Sequence, residues 1–384
     1  MTRRSTIGAL FVIATAIIQG VCPSRAFIDK PPLSFHRQHG GMPQPSSTQL
    51  FVGEGDVQND ADNQTSKPVL VVGATGKVGQ RVVKQLIAKD QPVLAMVRNE
   101  TKAIELFGDS ANQSPILELV VVDLGNYENH SEAIEDAISR CDSIISVSGS
   151  FRLSKLTDFL PWRLFNPDVS SWADRSHPYF ANFKAQAFMI DLAKEHGAKR
   201  FVRLTGLSTS FSAFSFVPVI FSTLLSMTSR YHESCEQYLI NSDVPYVILR
   251  PGGLADHDRS VETTWLQADP VGSCPSPGRV PRSDVAALAI EACVDGAIPK
   301  ERSMTLGVRA VGEIKPKPQG VKEDGFPTAR ECIQNAASSA LVLEQKQDAE
   351  DFVPKPYGVA TALFVYSFLA LTLKLFSMLV SWIL

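Results

Sequence analysis

The stretch VLVVGATGKVGQRVVKQL, residues 69–86, decides the fold. Its first four residues, Val69 to Val72, are apolar and mostly β-branched, which suits a fully buried strand. The strand runs straight into Gly73. From Lys77 to Lys89 the apolar residues Val78, Val82, Val83, Leu86 and Ile87 fall on one face of a helix. The glycines therefore occupy a strand-to-helix turn. There they permit a tight bend and close backbone approach to a pyrophosphate, while the helix N-terminus offers free N–H groups and positive dipole. A glycine triplet alone is weak, but here the strand and helix that the motif requires stand on both sides. Gly73, Ala74, Thr75, Gly76, Lys77, Val78 and Gly79 are accordingly expected to hold a dinucleotide.

Working outward, further short apolar runs alternate with amphipathic stretches: 93–97, 117–122, 143–147, 201–205, 246–249 and 304–308. This alternation implies βαβ units, hence an α/β fold with a doubly wound parallel sheet covered on both faces. The second run ends in Val97-Arg98-Asn99. An acid at that point would bind the ribose 2′-hydroxyl of NAD(H), whereas Arg98 puts a guanidinium where a 2′-phosphate would lie, which favours NADP(H). The competing reading makes Arg98 a solvated loop residue and gives the ribose to Glu100. Asp123 and Leu124 after the third run are placed to bracket the adenine, and Ser148 and Gly149 after the fourth lie along the ribose and nicotinamide. Ordinary loop chemistry is the alternative for both.

The ends of the chain differ from this middle. Residues 1–26 carry Arg3 and Arg4, an apolar stretch from Ile7 to Val21 and small residues at Ser24 and Ala26, the pattern of a signal peptide. Phe27 follows, and the segment to Gly53 has Asp29 as its only acid. Together these look like the bipartite plastid presequence of algae with secondary plastids; the alternative is an endomembrane or secreted protein with a polar linker. Residues 27–66 are read as that transit-like segment and a spacer, 67–312 as the nucleotide-binding domain and 313–356 as a tether with a candidate helix from Thr328 to Gln345. Residues 357–384 are almost wholly apolar apart from Lys374, long enough to cross a membrane. A helix lying in the interface, or packed on another subunit, is the alternative.

Bulk properties narrow the function classes. The net charge of -3 supplies no basic field for nucleic acid. The cysteines, Cys22, Cys141, Cys235, Cys274, Cys293 and Cys332, show no CxxC pair and no histidine at zinc-ligand spacing, so no metal is expected.

The runs VLVVGATGKVGQRVVKQL, AKEHGAKRFVRLTGLS (193–208), VPYVILRPGGL (244–254) and PRSDVAALAI (281–290) together resemble the atypical short-chain dehydrogenase/reductase superfamily, in its NmrA-like NAD(P)-binding branch. The resemblance covers about residues 67–310 and implies a Rossmann core with a small C-terminal lobe, NADP(H) in the cleft, and either reductase activity or a non-catalytic role. Plastid relatives of this kind include a protein-import component and photosystem assembly factors, which keeps open a scaffold at a membrane.

Active members of the superfamily pair a tyrosine with a lysine four residues on. Here the corresponding helix has Tyr179 and Lys184, five apart, which in a regular helix leaves them about 140° out of line. The resemblance sets Phe183 at the common aromatic position, and Phe has no proton to give. It matches Glu236 to the glutamate of the next helix and places His232 where a lysine often stands. His232 is thus a candidate proton donor, or simply a partly exposed histidine near a helix start. Thr205 would hydrogen-bond a substrate carbonyl or cap its loop. The apolar stretch 211–227, with Pro218 inside it, reads as a lid over an apolar small-molecule substrate, or as a surface that docks on a membrane or a protein partner. Trp162, Trp172, Phe159 and Phe165 would face it, or pack in the core.

Overall fold

The computed structural model describes residues 67–108, 116–165, 174–260, 264–269, 278–293, 297–299, 302–312, 325–338 and 354–383. The presequence, Cys22, Trp172 and Cys274 lie outside these residues.

Seven parallel strands form the sheet: β1 (Val69–Val72), β2 (Val93–Val97), β3 (Leu117–Val121), β4 (Ser143–Ser146), β5 (Arg200–Leu204), β6 (Tyr246–Pro251) and β10 (Met304–Val311). Their order is β3-β2-β1-β4-β5-β6-β10, the doubly wound order that reverses between β1 and β4. An eighth strand, β8 (Trp265–Asp269), closes the far edge antiparallel to β10. Two short strands, β7 (Gly253–Ala255) and β9 (Arg279–Pro281), pair separately beside it.

The period of two along β1 explains the layers. Val69 and Val71 face one side, where Gly79–Ile87, Arg282–Cys293 and Ala329–Ser338 supply the covering helices. Leu70 and Val72 face the other, covered by Ser131–Arg140, Ala185–Glu195 and Thr228–Ile240. With both faces buried, β1 and β2 read as unbroken apolar runs.

Three features depart from the sequence reading. The segment expected to be a tether contributes to the fold: Cys332, Ile333, Ala336 and Ala337 of helix Ala329–Ser338 are buried in the first layer, and Phe326 bridges to Leu266 of β8. Strand β8 was not expected because only Leu266 of its five residues is fully buried, too little to stand out as an apolar run. The helix carrying Tyr179 and Lys184 is not regular, since Tyr179–Lys184 is a π-helical turn.

The apolar insertion forms helix Phe216–Leu224. Pro218 sits in its first turn, where the missing N–H would have had no partner, so the helix tolerates it. The last helix, Tyr357–Ile383, starts inside the body of the protein, with Tyr357 and Ala360 packed on Ala213 and Val219. Cys141, Cys235, Cys293 and Cys332 are all buried.

Candidate functional site

Gly73 adopts a φ of +83°, and a Cβ there would stand 2.8 Å from Ser148 Cα. Only glycine lets the turn take that conformation and lie so close to the loop after β4. The Gly73 and Ala74 N–H groups both donate to Met96 O at 3.2 Å, tying the turn to the end of β2. The N–H groups of Thr75, Lys77 and Val78 have no acceptor among the described residues. They cluster at the N-terminus of helix Gly79–Ile87, beside the exposed Gly76. Unused donors and helix dipole at one point fit a diphosphate. Lys77 itself turns outward to an exposed ion pair with Asp256 at 3.0 Å.

Arg98 follows β2 directly, is exposed, and makes no hydrogen bond or ion pair with the described residues. Glu100, also exposed, opens the helix Glu100–Phe107 that Asn99 caps. Asp123 accepts from Gly125 N at 3.1 Å and Asn126 Nδ2 at 2.7 Å, so its carboxylate shapes its own loop, and Leu124 is half-buried in the turn that follows.

Ser148 and Gly149 are clamped from beneath by residues that sequence reasoning missed. Ser150 N–H donates to Asn182 Oδ1 at 2.7 Å, and Asn182 Nδ2 donates back to Ser150 O. Gln186, one helical turn on, donates to Ser148 Oγ at 3.0 Å and accepts from Ser146 Oγ at 2.7 Å. Arg203 of β5 is fully buried and donates to Ser146 Oγ at 2.9 Å and Ser148 O at 2.8 Å. The available signal was the i,i+4 pair of amides in FANFKAQAF, apolar apart from these and Lys184, and an arginine inside the apolar run FVRL.

His232 stands over this clamp. Its Nδ1 lies 3.5 Å from Arg203 Nη2, and a Cβ on Gly149 would come within 3.9 Å of its Cε1. Burial, and then the Arg203 charge, push the imidazole down to about 3. The ring is neutral near pH 7, so it offers a hydrogen bond rather than a titrating proton. Thr205 Oγ donates to Glu236, which also accepts from Thr209 Oγ at 3.0 Å and from Arg250 at 2.7 Å. The threonine's one donor is thus engaged by the protein.

The π turn closes i→i+5 bonds and so stacks residues five apart, a geometry that the regular-helix argument left out. Lys184 Nζ does approach Tyr179, but over the ring face, 5.7 Å from its centroid. Tyr179 is fully buried, edge-on to Phe180, Phe183 and Tyr231. The two form a core contact, not a proton relay. Phe159 and Phe165 pack on the second layer, while Trp162 is exposed. Among the described residues no group of His, Cys, Asp and Glu is placed to hold a metal ion.

The family described as NAD(P)H-binding matches residues 73–295. An uncharacterised chloroplastic protein of Arabidopsis thaliana is 26% identical over 250 residues, covering 64% of this chain and 78% of its own length. Sanguinarine reductase of Eschscholzia californica is 24% identical over 280 residues, 68% of this chain and 94% of that protein. The chloroplastic Protein TIC 62 of Pisum sativum is 27% identical over 219 residues, 54% of this chain but only 36% of that longer protein.

Proposed function

The chain belongs to the NAD(P)H-binding family, and from that premise we propose that it is an NADP(H)-dependent reductase of the atypical short-chain type, tethered to a plastid membrane and acting on an apolar carbonyl or alkene. The observation that carries the cofactor reading is the pairing of three unused N–H groups at the turn with an unpaired Arg98 beside them. The first set suits a diphosphate and the second a 2′-phosphate.

Bound nicotinamide supplies a hydride. At the far end of the turn, Arg203 holds the β4 loop, and burial together with the Arg203 charge keeps His232 neutral, so the ring presents a donor that does not change charge during the reaction. Fixed donors of this kind stabilise negative charge developing on a substrate oxygen without any proton being stored on the protein. Water then completes the protonation. The likeness to sanguinarine reductase along nearly its whole length supports a reductase.

A second reading, a nucleotide-binding scaffold at the same membrane, is favoured by the buried Tyr179 and the engaged Thr205. The likeness of part of TIC 62 agrees with either.

The plastid assignment rests on the presequence pattern and on relatives named chloroplastic. The tether rests on the last helix, whose span Tyr357–Trp382 is apolar and long enough to cross a bilayer. On the translocon scale Lys374 opposes insertion by about 2.5–3.5 kcal/mol, whereas about a dozen Leu, Ile, Phe and Val residues contribute roughly 0.3–0.6 kcal/mol each, a sum that favours insertion.

The test is NADPH oxidation by the full chain in vesicles loaded with apolar aldehydes and enones. The reductase reading expects turnover that His232→Ala reduces by about 10²-fold while nucleotide binding is kept. Tight NADPH binding with no turnover on any of them would leave the scaffold.

A further inference from the structure

Exposed apolar side chains are gathered on one rim of the protein. Phe151, Leu153 and Leu156 lie on the loop leaving β4, Trp162 on the short helix after it, and Phe216 and Leu224 on the insertion helix; Leu156 is 89% exposed and Phe216 78%. The two segments are stitched together: Ser154 N–H donates to Leu224 O at 2.9 Å, and Ser226 N–H donates to Ser154 Oγ at 2.7 Å. They form one exposed apolar surface, of the kind that marks an interaction site.

The last helix rises from the same place. Lys355, just before it, pairs with Glu233 at 2.8 Å. Gly358 passes so close to Leu164 O that a Cβ would stand 2.2 Å away, which holds the helix against the segment that carries Trp162. Tyr366 Oη donates to Phe159 O at 2.5 Å. Burial of the helix ends at Ala362, and exposed apolar residues run from Leu363 to Trp382. At 1.5 Å per residue that stretch is about 30 Å long, the thickness of a hydrocarbon core. The hydrogen bond at Tyr366 therefore sets Phe159 and its neighbours level with the start of the spanning stretch.

We propose that this rim is seated in the membrane interface: with the last helix across the bilayer, Phe151, Leu153, Leu156, Trp162, Phe216 and Leu224 enter the headgroup layer beside it. The inference rests on the spanning role given to that helix. Because Phe151 follows the Ser148-Gly149-Ser150 loop directly, the mouth of the nucleotide cleft then opens against lipid, and an apolar substrate enters from the bilayer rather than from water. The polar residues of the rim suit this placement. Arg152 is paired with Asp158 and Lys155 with Asp174, so neither cation opposes the surface with an unpaired charge, and Trp162 is the residue type that interfaces collect.

The experiment uses the full chain in phospholipid vesicles carrying brominated acyl chains, with Trp162 or Trp382 kept as the sole tryptophan and the others changed to Phe. Should the Trp265→Phe background lose its fold by circular dichroism, a nitroxide on Leu156→Cys gives the same reading from its contact with lipid-soluble against water-soluble relaxants. Interfacial seating, about 5–10 Å into the boundary, expects Trp162 to be quenched at least about twofold by shallow bromines, as Trp382 is by bromines at its own depth. Quenching of Trp382 with Trp162 untouched would overturn the seated rim while leaving the anchor, and would assign the face to a protein partner. If neither is quenched, the anchor fails and the seated rim falls with it.

Discussion

Gly73 shows how one residue joins two halves of the site. Its positive φ and its closeness to Ser148 bring the turn against the β4 loop. Gly73→Ala is expected to cost about 1–3 kcal/mol, from strained backbone and from separation of the two loops, measured as a fall in the urea midpoint. An unchanged midpoint would mean that the turn relaxes freely.

His177 makes the pH dependence testable. It is buried, accepts the Tyr179 N–H on Nδ1 at 3.2 Å, and is pushed down to about 4, chiefly by burial and then by Arg152. Its folded value lies below its unfolded one, so its contribution is whole above about pH 6.5 and is lost as pH falls toward 4. The loss amounts to at most about 3 kcal/mol. His177→Gln should flatten the decline in urea stability between pH 6.5 and 4, though not abolish it, because His232 shifts in the same direction. A parallel curve would contradict the assignment.

At this scale the sequence was legible where chemistry is local. The glycine turn and Arg98 could be placed because strand, turn and helix are contiguous. Arg203 could not, because it meets Ser146 from 57 residues away and reads in isolation as a charge misplaced in a strand.

Among the elements, helix Ala329–Ser338 falls where a helix was expected within a tether, but its packing into the core was not legible. It follows a proline-containing, polar stretch, and only four of its residues are buried in the first core layer. Yet Ile333 is completely buried there, and Arg330 reaches Glu291 at 2.9 Å. Ile333→Ala should therefore destabilise the domain by about 2–5 kcal/mol, as deletion of a core side chain does, read from thermal or urea unfolding. A cost within about 0.5 kcal/mol would return the segment to the role of tether.

Strands β1 and β2 were legible to the residue, since burial on both faces makes each an unbroken apolar run bounded by polar loops; the other parallel strands were placed with ends one to three residues off. The edge strand β8 was not, because an edge needs little burial. The π turn escaped for a different reason: a spacing argument assumes one helix geometry, and Tyr179–Lys184 adopts another. Tyr179 is buried and Lys184 meets its ring face, so the geometry that sets the pair apart is burial rather than an angle.

For the molecule as a whole, the two covering layers put the ends of β1, β4 and β5 at the point where strand order reverses, the crevice that open α/β sheets use for ligands. The polar clamp of Asn182, Gln186 and Arg203 holds the loop after β4 beside that crevice, and exposed apolar residues follow it in the chain from Phe151. In the proposed seating, nucleotide, substrate entry and membrane become neighbours through one loop, Ser146 to Phe151.

The central claim is that this crevice holds NADP(H), with Arg98 choosing it over NAD(H). It is tested most directly by titrating the full chain in detergent micelles with NADPH and NADH, beside Arg98→Ala and Gly76→Val. The account predicts tighter binding of NADPH, loss of about 10-fold or more of that preference in Arg98→Ala with NADH affinity unchanged, and weak binding of both in Gly76→Val. Equal affinity for both nucleotides in the parent chain, unmoved by Arg98→Ala, would contradict the role of Arg98, and a folded chain that binds neither would contradict the site itself.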